Sequence, residues 1–219
     1  MRRADLTLLV LGTFLLLAGP LHVPSIWTRG EAREGLIVRD VVEHGHWVIG
    51  WRDGTLASKP PLFHWIAAGV GALAGVSDAV VRLPSAVGAL VVAAVTLWLG
   101  TAVGGRATGW LAVGALAGTA SFWRSATEAR VDMVFAAAIT LALGGFFVWW
   151  RDGRRNGRAL FWMGLAAAVL TKGPAGGVLG ALVVTAFLAV ERDLRRLFAL
   201  ASTPWLAGAL TVTAGWYMA

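Results

Sequence analysis

Residues 28–65, TRGEAREGLIVRDVVEHGHWVIGWRDGTLASKPPLFHW, hold the side chains best suited to chemistry. The acids are Glu31, Glu34, Asp40, Glu43 and Asp53; the bases are Arg29, Arg33, Arg39, Arg52 and Lys59; His44, His46 and His64 join them. Glu31 stands three residues after Thr28, the spacing of a helix capping box. The same carboxylate, at the start of a helix, can act as general base on an acceptor hydroxyl or amine. Glu34 lies one turn on and shares its face, and two such carboxylates can hold a divalent cation. Lys59 precedes Pro60-Pro61, which either makes a plain extended entry to a helix or fixes an ammonium where it can hold a phosphate. A second polar segment, RSATEARVD at 124–132, sets Arg124 and Glu128, and Glu128 and Asp132, at helical i,i+4 spacing. That spacing fits ordinary surface pairing. Asp132 also opens an apolar run, where an ionisable group is a functional candidate by default. Lys172, in TKGP at 171–174, fits the stop-and-restart pattern between helices. The histidines match no zinc spacing, and no HExxH, nucleophile elbow, P-loop or dinucleotide fingerprint is present. The absence of cysteine excludes disulfides and thiolate chemistry.

These segments need a frame, and the frame is apolar. The chain is 58% hydrophobic and only 14% charged, too apolar for an ordinary soluble domain. A bilayer core about 30 Å thick needs roughly 20 apolar residues per helix. Apolar runs at 6–23, 83–103, 110–123, 133–150, 160–170, 175–190 and 198–216 predict an all-α, polytopic transmembrane bundle of about seven spans. The first run, after Met1-Arg2-Arg3, also resembles a cleaved signal peptide. Its length and the lack of a small-x-small cleavage site favour a retained helix. Between the first two spans lies a long external loop, 24–78. In it, 31–44 reads as an amphipathic interfacial helix, with Ile37, Val38, Val41 and Val42 on one face. Gly45 ends it, Asp53-Gly54 makes a turn, and Pro60-Pro61 opens a second helix.

The net charge of +7 belongs to short connectors, not to a basic face, so it speaks for topology and against nucleic acid. With the N-terminus in the cytoplasm, parity puts Arg106, RDGRRNGR (151–158) and ERDLRR (191–196) inside. Loop 24–78, RSATEARVD and TKGP then fall outside together.

The order of these motifs resembles the polyprenyl-phosphate-sugar-dependent glycosyltransferases of the GT-C fold, of the family 39/83 type. That group includes the protein O-mannosyltransferases and the aminoarabinose transferases of lipid A. The matching pieces are GEAREGLIVRDVVEHGHWVIG (30–50), SKPPLFHW (58–65), RLPSAVGAL (82–90), EARVDM (128–133) and LTKGP (170–174). The resemblance implies an enzyme of the plasma (inner) membrane with its active site on the external or periplasmic side. It implies transfer from a polyprenyl-phosphate-linked sugar to a lipid, glycan or protein acceptor. Relatives usually carry Asp-Glu where this chain has Gly30-Glu31, so Glu31 is the nearest substitute for the catalytic carboxylate, with Asp132 the second. Lys59, Arg33, Arg130 and Lys172 are the implied donor-phosphate contacts. The resemblance fixes no required cofactor and leaves a divalent metal open, with Glu34 and His64 as weak candidate ligands; Ser58 stands where many relatives have a glutamate that helps bind metal. Relatives run to about twice this length. The 219 residues therefore read as one transmembrane domain, an N-terminal portion without the further spans and soluble domain. A flippase of lipid-linked sugars and a non-catalytic remnant are the alternatives.

Topology is the first consequence. A reporter fused at Asn156 is expected to report cytoplasm, and one fused at Thr127 the exterior; the reverse pattern contradicts the reading.

Overall fold

The computed structural model describes residues 4, 5, 7–9, 12 and 28–219. The first apolar run, its signal-peptide alternative and the start of the 24–78 loop thus lie largely outside the described residues. The chain forms two compact units, Met1–Ala137 and Ala138–Ala219.

The first unit is built on helix α1 (Arg29–His44). Thr28 caps it, its hydroxyl oxygen accepting from the Glu31 amide at 3.2 Å. Gly45 ends it in the left-handed region, φ 74°, its N–H donating to the Val41 carbonyl. Strands β1 (Trp51–Arg52) and β2 (Thr55–Leu56) pair antiparallel, Trp51 opposite Leu56. Asp53 and Gly54 both take positive φ, 47° and 75°, the type I′ geometry that suits a two-residue hairpin. Helix α2 (Leu62–Ala74) follows Pro61. Helix α3 (Asp78–Ala117) begins at the Ser77 cap and is broken at Gly105, φ 86° and ψ 177°. The chain reverses there. A Cβ at Gly100 would lie 2.8 Å from Gly109 Cα, so the two arms pack backbone to backbone through glycine. Helix α4 (Ala120–Thr127) and the first turns of α5 (Val131–Asp152) complete this unit.

The apolar stripe of α1 has a different neighbour from the bilayer surface expected of an interfacial helix. Ile37, Val38 and Val41 are buried in one core with Phe63, Ala67 and Ala68 of α2, Val81 of α3, and Ala129, Val131 and Val134. A helical hydrophobic stripe must be covered; here protein covers it.

The second unit holds the rest of α5 with α6 (Arg155–Lys172), α7 (Pro174–Val190), α8 (Arg195–Ala201) and α9 (Pro204–Met218). Small residues let its helices touch. A Cβ at Gly164 would come within 2.6 Å of the Ala142 nitrogen, and one at Gly176 within 2.6 Å of the Ala168 carbonyl carbon. Phe146, Phe161, Leu165, Val184, Leu188 and Leu200 fill its core. Gly173, φ 80°, stops α6, and Pro174 restarts the chain as α7, the break that TKGP predicts.

The span count is corrected. Among the described residues, α3 and α5 are long and apolar enough to cross a membrane, and α8 with α9, bent by 63°, makes at most a third. The first run lies largely outside the described residues, and the other six apolar runs do not give six long helices. The Gly105 reversal and the Gly173 stop fall at breaks the sequence already shows, but α7 after them has only 17 residues and the last run is bent before Pro204. What stands is an all-helical membrane protein with one small hairpin.

Candidate functional site

Two glutamates on consecutive turns of α1 organise the site. Glu31 is only 3% exposed. Its Oε1 accepts from Arg82 Nε at 2.9 Å and from the Ala129 amide at 2.9 Å, and its Oε2 from Arg82 at 3.4 Å. Arg82 is 4% exposed, near the start of α3. A charge so deep is tolerated only when paired and hydrogen-bonded. The pair ties together the first turn of α1, the first turns of α3 and the 128–130 turn. The capping-box spacing is present in the Thr28 bond, but the Glu31 carboxylate also serves this longer-range tie.

Glu34 is buried too. Its Oε1 meets Lys59 Nζ at 2.8 Å and its Oε2 meets His64 Nε2 at 2.7 Å. Burial alone raises a carboxyl pKa; here the hydrogen bonds and charges of His64 and Lys59 outweigh it and hold Glu34 below the ordinary carboxylate range. Glu34 and His64, the candidate metal ligands, are thus brought together as a hydrogen-bonded pair. Among the described residues, no three His, Asp or Glu side chains group to hold a metal ion.

Lys59 and the Arg130–Asp132 pair adjoin these two ties, and Arg33 lies between the two glutamates in sequence. Arg33 is exposed on α1. Lys59 is partly exposed beside Glu34. The side chain of Arg130 is 44% exposed and that of Asp132 38%, their charged atoms 3.3 Å apart. Ser85 Oγ donates to the Arg130 carbonyl at 3.0 Å, which steadies the turn. Gly30 faces this pair: a Cβ there would sit 3.9 Å from Arg130 Nε, in ordinary contact. Arg124 and Glu128 pair at 3.0 Å as their i,i+4 spacing predicts, but Glu128 leaves the helix in extended conformation. Its expected i,i+4 relation to Asp132 is therefore not helical. Lys172 belongs to the second unit, exposed at the end of α6.

Away from this cluster, Asp40 anchors the hairpin. It accepts from the Trp51 amide at 2.7 Å and faces His46 at 3.0 Å and His44 at 3.2 Å. Partial burial raises its pKa; the Trp51 amide, His46 and His44 outweigh this and lower it. Two of the three loop histidines thus serve the loop's own structure. Sequence reasoning gave Arg82 no role. The available signal was an arginine at the head of an apolar helix, which demands a buried acid.

The Glu34 cluster makes a pH prediction. A carboxyl whose folded pKa is depressed contributes stability that is complete above its unfolded pKa, about 4.3. That stability is lost as pH falls through the lower folded value. Thermal unfolding in detergent between about pH 6 and pH 3.5 should show a steeper acid loss for the native chain than for Glu34→Gln. Identical pH slopes contradict the assignment.

Comparison with known proteins agrees with this frame. The family model for dolichyl-phosphate-mannose-protein mannosyltransferases matches residues 58–216. An uncharacterized protein of Aquifex aeolicus (strain VF5) is 28% identical over 200 residues, 88% of this chain and 39% of that protein. The undecaprenyl phosphate-alpha-4-amino-4-deoxy-L-arabinose arabinosyl transferase of Shewanella sediminis (strain HAW-EB3) is 28% identical over 180 residues, 80% of this chain and 33% of that protein. The chain therefore spans well under half the length of these curated relatives. In fold it is similar to the crystal structure of ArnT from Cupriavidus metallidurans bound to undecaprenyl phosphate. The TM-score is 0.90 at 21% identity, over 100% of this chain and 41% of that one. The apo form gives 0.88 at 22% identity. With most of its length matched, the chain belongs to the dolichyl-phosphate-mannose-protein mannosyltransferase family.

Proposed function

We propose that this chain carries the donor site of a glycosyltransferase that moves a sugar from a polyprenyl-phosphate donor to a lipid, glycan or protein acceptor. The site lies on the external side of the plasma membrane, with the N-terminus in the cytoplasm. What supports this reading most is that buried Glu34 pairs with Lys59, while buried Glu31 binds the Ala129 amide beside the Arg130–Asp132 pair. The family supplies the donor class: ArnT of Cupriavidus metallidurans was crystallised with undecaprenyl phosphate.

The chemistry follows from charge. Arg33, Lys59 and Arg130 neutralise the donor phosphate, whose charge grows as the anomeric C–O bond breaks. The acceptor O–H or N–H attacks the anomeric carbon, and the polyprenyl phosphate leaves with the bonding electron pair. Of the two candidate carboxylates, Asp132 is the more open, so Asp132 takes the acceptor proton. Glu31, held by Arg82 and the Ala129 amide, acts as a positioning residue that fixes Arg130 and Asp132. Lys172 enters as a donor contact on the resemblance alone.

Gly30 favours a second reading, a unit that binds donor without transferring sugar. Relatives usually have aspartate there, and this position faces Arg130 with room for a side chain. An aspartate in the first turn also suits the helix dipole.

Membranes expressing the chain, assayed for undecaprenyl-phosphate binding and for sugar transfer, separate these readings. Lys59→Ala should weaken donor binding by about tenfold or more, the scale of a lost charge-assisted hydrogen bond. Unchanged binding contradicts the donor site. Asp132→Asn should keep donor binding and lower transfer by about 10²–10⁴-fold; full transfer contradicts its role as base. If the native chain binds donor but transfers nothing, and Gly30→Asp restores transfer, the second reading holds.

A further inference from the structure

We propose that the two arginine-rich connectors of the second unit together form a binding site for the headgroup of an anionic phospholipid. This rests on the chain's place in a membrane and not on the transfer reaction.

The connectors are RDGRRNGR at 151–158 and ERDLRR at 191–196. They are far apart in sequence, yet the fold stitches them at one end of the unit. Arg196 donates to the Trp150 carbonyl at 2.8 Å, Arg158 to the Ala199 carbonyl at 3.1 Å, and Trp162 Nε1 to the Leu200 carbonyl at 2.9 Å. Most of the local acid is already committed. Asp152 lies between Arg151 at 3.7 Å and Arg154 at 3.9 Å, and Asp193 pairs with Arg196 at 2.7 Å. Glu191 is exposed beside Arg192 and offsets one charge. Arg155, Arg192 and Arg195 are exposed and have no ion-pair partner among the described residues. Arg158 Nε, shielded from solvent, has no acceptor there either. Arg192 holds the turn with φ 56°, a conformation for which glycine or asparagine is the usual choice. A side chain kept at such a position points to a use for it.

The apolar neighbours favour a lipid over a soluble anion. Phe198, on the short helix α8, is 78% exposed, and Leu194, just before it, 48%. A cationic rim beside an exposed phenylalanine matches one amphiphile: phosphate for the guanidinium groups, acyl chain for Phe198 and Leu194. Free phosphate would use only the first half.

Native mass spectrometry of the whole chain released from detergent tests this, with dioleoyl phosphatidylglycerol and dioleoyl phosphatidylcholine as probes. The native chain should retain phosphatidylglycerol in preference. The R155Q/R192Q/R195Q variant should lose at least about tenfold of that retention and keep its weak phosphatidylcholine signal. The corresponding triple lysine variant should retain most of it. If the triple glutamine variant has an altered circular dichroism spectrum, R195Q alone should still lose about fivefold. The proposal is overturned by equal retention of both lipids, by glutamine variants that hold phosphatidylglycerol like the native chain, or by full displacement with millimolar inorganic phosphate.

Discussion

The buried ion pair between Glu31 and Arg82 is the constraint on which the rest of the first unit depends. Neither group is exposed enough to keep its own water. Removing two charges from water costs several kcal/mol each, and only good geometry with further hydrogen bonds offsets it. The third partner, the Ala129 amide, is as close to Glu31 as Arg82 Nε is. One carboxylate therefore fixes the distance between α1, α3 and the turn ahead of α5. Gly30 and Arg33 flank that carboxylate on α1, and Arg130 and Asp132 flank its amide partner. The exposed groups inherit their positions from a residue that is itself closed to solvent.

Glu34 extends the same logic one turn along. It joins α1 to Lys59 and His64, on either side of the Pro60-Pro61 entry to α2. The two glutamates thus hold two motif segments to α1: Glu31 secures the EARVD segment, Glu34 the SKPP segment. Side-chain charge near α1 divides accordingly. Buried acids neutralise Arg82 and engage Lys59, Arg130 pairs with the more open Asp132, and Arg33 is exposed.

Much of this was legible in local sequence, because local features carry their own signals. The Thr28 cap, the Gly45 stop, the Asp53-Gly54 turn and the Gly173-Pro174 restart each rest on the conformation of one or two residues. Two kinds of information were not legible. The stripe Ile37, Val38 and Val41 announces a face to be covered but not what covers it, and the cover is α2 and α3. Glu31 and Arg82 are 51 residues apart, and no periodicity links them. The span count failed for a related reason: hydropathy records that a run is apolar but not whether its helix stays long and straight, and 175–190 gives a helix of 17 residues while 198–216 is bent by 63° before Pro204. The family resemblance picked out the motifs at 30–50, 58–65, 82–90 and 128–133, and in the first unit the ion pairs and hydrogen bonds of Glu31 and Glu34 join them.

The central claim is that Glu31 and Arg82 act as one structural unit, and a double-mutant cycle measures it most directly. Glu31→Gln, Arg82→Met and the double variant would be compared by reversible unfolding in mixed micelles. Each single change should cost roughly 3–5 kcal/mol, because each strands a buried charge. The double variant should cost much less than their sum, with a coupling of about 2 kcal/mol or more. Single losses that add to within about 0.5 kcal/mol would contradict the account.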